Sequence, residues 1–270
     1  MLLTAGCIDT TTVQNNPFKG DLKINGSSTL YPSVQKSAEA FMTLHPESKI
    51  TVVESSSGAG ISELIAGRTD LAPSSRAPKA SEFTGAVNGG KSLHMTVVDY
   101  DAVVVVVNPA NPLSDLTVDQ LNQVFFSGTV NDWSQLTNGA KTGKIHVYVA
   151  DPKSSGTAEF FSGAVGKGAP FIKSAIVIPM SGDLAKQVIS DPNGIAFTSM
   201  EYITPDIRTL TVNSVKPSID TALDTTYPLS RKVYMITDGA PSGLEKEFIN
   251  FMLSQQGQKI AEDRGLIPII

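Results

Sequence analysis

The chain has one cysteine, Cys7, in 270 residues, so no intramolecular disulfide can form and the fold must rest on packing and hydrogen bonds. Histidine is almost as scarce. His45, His94 and His146 stand far apart without metal-ligand spacing, and neither a metal centre nor a cofactor is expected. No apolar run reaches the roughly 18 to 20 residues needed to cross a bilayer. Charge of neither sign is blocked: 21 basic residues against 26 acidic give a formal net charge of −5, which argues against a broad grip on nucleic acid but leaves room for a small local anion site. With 41% hydrophobic and 17% charged residues the composition excludes disorder for most of the chain, and the length suits one large domain or two of ordinary size.

Cys7 has a distinctive setting, LLTAGC before IDTTTVQNNP. Small residues before the cysteine and a polar, threonine-rich spacer after it look like the tail of a lipoprotein signal. On that reading Cys7 carries a lipid, residues 1–19 are a signal remnant and flexible tether, and the protein works at the outer face of a membrane. Thr4 departs from the larger aliphatic residue usual three positions before such a cysteine, and the upstream charged and apolar segments are missing, which a start codon placed too late would explain. The alternative is an incidental cysteine in a frayed terminus.

Short extended runs alternate with helical periodicities, the pattern of an α/β fold. Four junctions repeat one theme. LKINGSST leads into YPSVQKSAEAF, with Val34, Ala38 and Phe41 at helical spacing; ITVVESSSGAG leads into ISELIAG; DLAPSSRAP follows a short apolar run; and IHVYVADPKSSGT leads into a helix carrying Phe160 and Phe161. The first N–H groups of a helix lack intrahelical partners and carry the positive end of its dipole, serine and threonine hydroxyls add donors, and glycine lets the backbone approach a ligand. Capping by Ser28, Ser57 and Ser155 is the competing account, worth about 1 kcal/mol at each helix. Four junctions, one beside Arg76, favour a shared oxyanion site.

GSSTLYP (26–32), ESSSGAGISELIAGRTDLAPSSRAP (54–78), SSGT (154–157), DPNGIAF (191–197) and TYPLSRKVYMIT…GQKIAEDRGLIPI together resemble the phosphate-binding proteins of the phosphate ABC transporter, in that family's order and from about residue 22 to the C-terminus. The resemblance implies a two-domain periplasmic-binding-protein fold of type II, with the ligand cleft between domains joined by crossing strands. It also implies the partners, namely inorganic phosphate and a membrane permease with its ATPase, for a receptor expected to be a monomer and not an enzyme. Carried over position by position, it implies Ser28, the Thr29 hydroxyl and the Leu30 N–H from the first junction, Ser57 from the second, Ser75 with Arg76 from the third, and Ser155, Gly156 and Thr157 closing from the other domain. The apolar run TVVDYDAVVVVVN (96–108) suits a strand leaving the first domain and RTLTVN (208–213) one coming back. That places domain 1 at 20–100 plus 211–270 and the inserted domain 2 at 101–210.

Two positions depart from the family pattern. Asp151 stands where many members have an arginine four residues before the serine of the SGT turn, so Asp151 is expected to face solvent or pair with Lys153, leaving Arg76 as the principal cation. Ser75 replaces an aspartate that in some relatives accepts the proton phosphate keeps and sulfate lacks. Asp101, with Asp70 behind it, is the substitute candidate; capping or pairing at a strand end is the other reading of each. Receptors for sulfate, molybdate or tungstate, and an extracytoplasmic phosphatase or esterase on a related cleft, remain alternatives. GAVNGGKS (85–92) matches the P-loop pattern, but no strand precedes it and β-like sequence follows, so it is expected to be a surface loop and not an NTPase site. No GxSxG elbow is present.

Overall fold

The computed structural model describes residues 16–152, 155–178 and 181–270; Cys7, the tether ahead of Asn16, and Lys153 lie outside them. Its strands are β1 (Gly20–Ser27), β2 (Ser48–Ser55), β3 (Ala72–Ser74), β4 (Leu93–Val107), β5 (Asp115–Leu116), β6 (His146–Val149), β7 (Ile176–Val177), β8 (Gly194–Ser199), β9 (Arg208–Thr209), β10 (Thr211–Val212) and β11 (Ser230–Asp238). Its helices are α1 (Tyr31–Leu44), α2 (Ser57–Ile65), α3 (Ala80–Asn88), α4 (Val118–Asn122), α5 (Ser134–Thr137), α6 (Gly156–Ala164), α7 (Ser181–Ser190), α8 (Ile219–Leu223), α9 (Gly243–Met252) and α10 (Gln255–Asp263).

Period-two alternation in β1 turns Leu22 and Ile24 inward, where they meet Val34, Ala38 and Phe41 on the apolar stripe of α1 and Phe248 of α9. A second core forms around Val103–Val107, Phe125, Trp133, Phe161 and Phe197, with Phe161 and Phe197 stacked at 4.1 Å between centroids. Strand β4 links the two. Leu93–Ala102 pairs antiparallel with β11, whereas Val103–Val107 pairs antiparallel with β8, so one strand leaves the first core and enters the second. The continuous valine run follows from that passage, because a strand covered on both faces has no solvent side to alternate with.

The returning strand is β11. RTLTVN forms only two short pieces: β9 pairs with the second-lobe half of β4, and β10 pairs with β5. Residues between them and β11, placed by sequence with the first domain, pack into the second core through Val212, Ala222, Tyr227 and Leu229, and the Tyr227 hydroxyl donates to the Val103 carbonyl at 3.0 Å. Six alternating residues are too short a signal to tell a crossing strand from two local pairings; the nine residues of β11 carry the stronger one. GAVNGGKS is also placed differently: its first four residues are the last turn of α3, then Gly89 and Gly90 turn the chain into β4. Helix, turn and strand is the reverse of P-loop order.

One buried carboxyl ties the C-terminus to this frame. Asp99 on β4 receives a hydrogen bond at 3.0 Å from Gln258 of α10, whose amide also reaches the Val98 and Met252 carbonyls and whose Oε1 accepts the Ile269 N–H at 2.7 Å. Burial pushes Asp99 up to about 8, against the smaller opposing effect of the Gln258 hydrogen bond. An unfolded aspartate titrates near ~4, so between that pH and about 8 the native state holds a proton the unfolded chain lacks, and stability falls as pH rises through this window. Urea unfolding of Asp99→Asn is expected to show a flatter decline in midpoint from pH 5 to 8.5 than the unmodified protein; parallel declines would show that Asp99 is ionised throughout.

Candidate functional site

Two close backbone approaches bring the first lobe's junctions together. A Cβ on Gly26 would sit 2.3 Å from the Pro73 carbonyl oxygen, and one on Gly60 2.3 Å from that of Asn25, so β1, β3 and α2 meet at distances only glycine permits. The ends of these elements then converge. Ser57 Oγ accepts the Ser75 N–H at 3.1 Å and lies 3.1 Å from Ser75 Oγ. From the second lobe, α6 advances its N-terminus: Thr157 Oγ1 is 3.1 Å from Thr29 Oγ1, and a Cβ on Gly156 would fall 2.2 Å from Ser75 Oγ and 2.6 Å from Ser57 Oγ. The starts of three helices, α1, α2 and α6, thus come together, each helix long enough to carry a dipole.

At that point lies Arg231, which the sequence reading missed. It sits on β11 directly across from Asp101 on β4, and the pair is buried, 6% and 0% exposed. Arg231 Nε and Nη2 donate to Asp101 Oδ2 at 2.9 and 2.6 Å, Nη1 donates to the Gly156 carbonyl at 3.1 Å, and Nη2 donates to Thr157 Oγ1 at 2.8 Å. Thr29 Oγ1 stands at 3.5 Å and the Phe160 ring lies 5.5 Å from the guanidinium carbon. A threonine hydroxyl that accepts from a guanidinium has its own proton left to give, so Arg231 biases Thr157 towards donating. The inner site is therefore rich in donors while its one ion pair is formally neutral.

Thr29, Ser57, Ser75, Gly156 and Thr157 are brought together; the other sequence candidates fall elsewhere or act differently. Arg76 is not open to the cleft centre. Its Nη atoms donate to both oxygens of Glu82 at 2.8 Å, Nη1 also reaches the Ala77 carbonyl at 3.0 Å, and Nε bonds Glu159 of α6. Burial works against its charge, but Glu82 and Glu159 outweigh that and hold its pKa above the ordinary arginine value. Asp101 reaches the centre with both oxygens occupied: Oδ2 by Arg231, Oδ1 by the Ser199 hydroxyl at 2.7 Å and the Met200 N–H at 3.4 Å. In this arrangement it serves as the arginine's partner. Asp70 lies at the entry of β3, the opposite end from Ser75, where it accepts the Lys23 N–H at 2.7 Å.

The caps also differ from expectation. The Leu30 N–H is bonded to the Ser27 carbonyl at 3.1 Å. Ser56, not Ser57, caps α2, which leaves Ser57 available to the cleft. Ser155 does cap α6, accepting the Ala158 N–H at 3.2 Å. Ser28 offers its carbonyl to the Tyr202 hydroxyl at 3.4 Å. Asp151 is partly exposed, and its carbonyl accepts the Ser155 N–H at 2.8 Å. Arg231 could have been found from the sequence: TYPLSRKVYMIT alternates as a strand, and pairing that strand with the run containing Asp101 sets two opposite charges side by side in apolar surroundings.

Two α/β lobes on long crossing strands, with helix N-termini and a buried arginine brought together between them, define a two-lobed solute-binding protein. A family model described as a PBP superfamily domain matches residues 11–256. The phosphate-binding protein PstS of Bacillus subtilis is 31% identical over 93% of this chain and 81% of its own. A phosphate ABC transporter substrate-binding protein from Clostridium perfringens, solved with bound phosphate, superposes with a TM-score of 0.81 at 26% identity, covering 93% of this chain and all of the other. An ABC-type phosphate transport receptor from Vibrio cholerae gives 0.78 at 28% identity, covering 91% and 99%. The chain belongs to the PBP superfamily and, within it, to the PstS family of phosphate-binding proteins.

The ion pair at the centre makes a stability prediction independent of any ligand. Arg231→Met strands a buried carboxylate and is expected to destabilise the protein by about 3 to 5 kcal/mol in urea unfolding; adding Asp101→Asn removes the stranded charge and should recover much of the loss. A double variant no more stable than Arg231→Met would mean that the two side chains are not energetically coupled.

Proposed function

We propose that the protein captures inorganic phosphate between its lobes, without chemistry, and hands it to the permease of an ABC transporter. The observation that carries this reading is Arg231, held between lobes and bonded to Gly156 and Thr157 where three helix N-termini meet. A phosphate there would replace the hydroxyl-to-hydroxyl contacts of Thr29 with Thr157 and Ser57 with Ser75 by stronger donor-to-anion bonds. Donors come from both lobes, so binding favours the closed arrangement, and the closed arrangement is what a membrane partner reads. A micromolar dissociation constant needs about −8 kcal/mol, which several charge-assisted hydrogen bonds at roughly 1.5 to 3 kcal/mol each supply after ordering costs.

The lobe limits that go with this reading are about 20–101 plus 230–270 for the first and 102–229 for the second, since the crossings fall on β4 and β11. Among the described residues no helix is long and apolar enough to cross a membrane. The receptor is proposed to act as an extracytoplasmic monomer, tethered through a lipid on Cys7. With Asp101 saturated and Ser75 in the aspartate position, preference for phosphate over sulfate rests on the hydroxyls and backbone groups of the cleft, not on a free carboxylate.

Calorimetric titration of ligand-stripped protein tests the reading. Phosphate is expected to bind with micromolar or tighter affinity and a chromogenic phosphate ester to be left intact; no phosphate heat, or turnover of the ester, would overturn the proposal. Gly156→Ala is expected to lose at least tenfold in affinity, because the added methyl collides with Ser57 and Ser75 where the lobes meet. Full affinity in that variant would place the ligand away from this closure.

A further inference from the structure

Outside the inner ring lies a second set of charged groups that the binding reading does not use. Arg76 and Lys79 of the first lobe both reach Glu159 of the second: Arg76 Nε bonds Glu159 Oε2, and Lys79 Nζ lies 2.6 Å from Glu159 Oε1. Glu82, on the first lobe with Arg76, takes the remaining guanidinium edge and the Lys79 N–H at 2.7 Å. The side chains are shielded to different degrees, 10% exposed for Arg76, 22% for Glu159 and 57% for Lys79. Two cations and two carboxylates balance, and only Glu159 comes from the opposite lobe.

Its position on the chain couples this cluster to the cleft. Arg76 directly follows Ser75, so one short loop carries a hydroxyl to the inner ring and a guanidinium to the outer one. Glu159 lies within the first turn of α6, whose Gly156 and Thr157 form the inner ring's other half, and its N–H bonds the Ser155 carbonyl at 2.9 Å. Inner and outer contacts must therefore form and break together as the lobes close and open. On opening, Arg76 keeps Glu82 and stays paired, whereas Glu159 loses both partners. The energetic consequence falls on a single residue.

We infer that Glu159 is a positioning residue that latches the closed cleft: it never touches the ligand, and its bonds to Arg76 and Lys79 set how long the lobes stay shut and so how slowly the bound oxyanion leaves. This rests on the receptor reading for its ligand but not for its geometry. An exposed pair would add little, but this one is partly desolvated and held on both carboxylate oxygens, so a measurable effect on the closed state is expected. Association proceeds through the open form, in which the latch is unmade, so the dissociation rate should carry the change.

The test is stopped-flow release of inorganic phosphate from the loaded receptor, for the unmodified protein and for Glu159→Gln and Lys79→Met. Glu159→Gln is expected to speed release roughly tenfold with an association rate within about twofold, and Lys79→Met to speed it less, in keeping with its greater exposure. Raising ionic strength from 50 to about 500 mM should speed release from the unmodified protein more than from Glu159→Gln, because screening can only weaken a latch that is present. Unchanged release from Glu159→Gln, or a loss carried mainly by association, would overturn the latch. Small-angle scattering of the phosphate-free proteins separates the two readings: a more open Glu159→Gln supports the latch even if phosphate proves not to be the ligand, and identical profiles count against it. Failure of the unmodified protein to bind phosphate would strike the receptor proposal alone.

Discussion

The buried ion pair between Arg231 and Asp101 is the constraint around which the cleft is organised. A lone guanidinium at that depth would be prohibitively desolvated; beside Asp101, on the neighbouring crossing strand, it is tolerated and fixed in orientation. The pair sits on the two strands that join the lobes, and the guanidinium reaches from there to the start of α6. Gly156 and Thr157 are met by the guanidinium, Thr29 by its outer edge, and Ser57 and Ser75 by the glycine itself.

Neutralising the arginine changes what binds an anion there. On the proposed reading, with Asp101 bonded to Arg231, Ser199 and Met200, the N-termini of α1, α2 and α6 and the nearby hydroxyls join the arginine in attracting an anion. Such fixed dipoles need little reorganisation, which favours tight binding in a chain whose net charge is negative. The missing side chain at position 156 makes that geometry attainable, since any Cβ would hold the lobes apart. Outside this ring Arg76, Lys79, Glu82 and Glu159 pair with one another, and Glu159 joins the two lobes.

Much of this was legible in the residues. Serine and glycine at strand-to-helix junctions pointed to Thr29, Ser57, Ser75, Gly156 and Thr157, because the local demand for unpaired N–H groups and close backbone approach leaves a compositional trace. The α/β class and the outward strand β4 were legible for the same kind of reason, a long valine run that only a two-sided burial explains. Arg76 misled because an arginine beside a serine looks like an anion ligand until the carboxylates that claim it, Glu82 six residues on and Glu159 from the other lobe, are seen in space. Arg231 is hidden by the opposite difficulty: its pairing with Asp101 depends on strand register across 130 residues, and RTLTVN offers a competing return strand. Asp70 and Asp101 were both plausible carboxylates in sequence, and only their hydrogen-bond partners separate a strand-entry cap from the arginine's counter-ion.

The most direct test of the central claim is a crystal structure of the phosphate-loaded protein. This account predicts phosphate oxygens within hydrogen-bond distance of the Arg231 guanidinium, Thr29, Thr157 and Ser57, with the Asp101 ion pair intact and Arg76 still bonded to Glu82 and Glu159. Phosphate held by Arg76, with Arg231 turned wholly to Asp101, would contradict it.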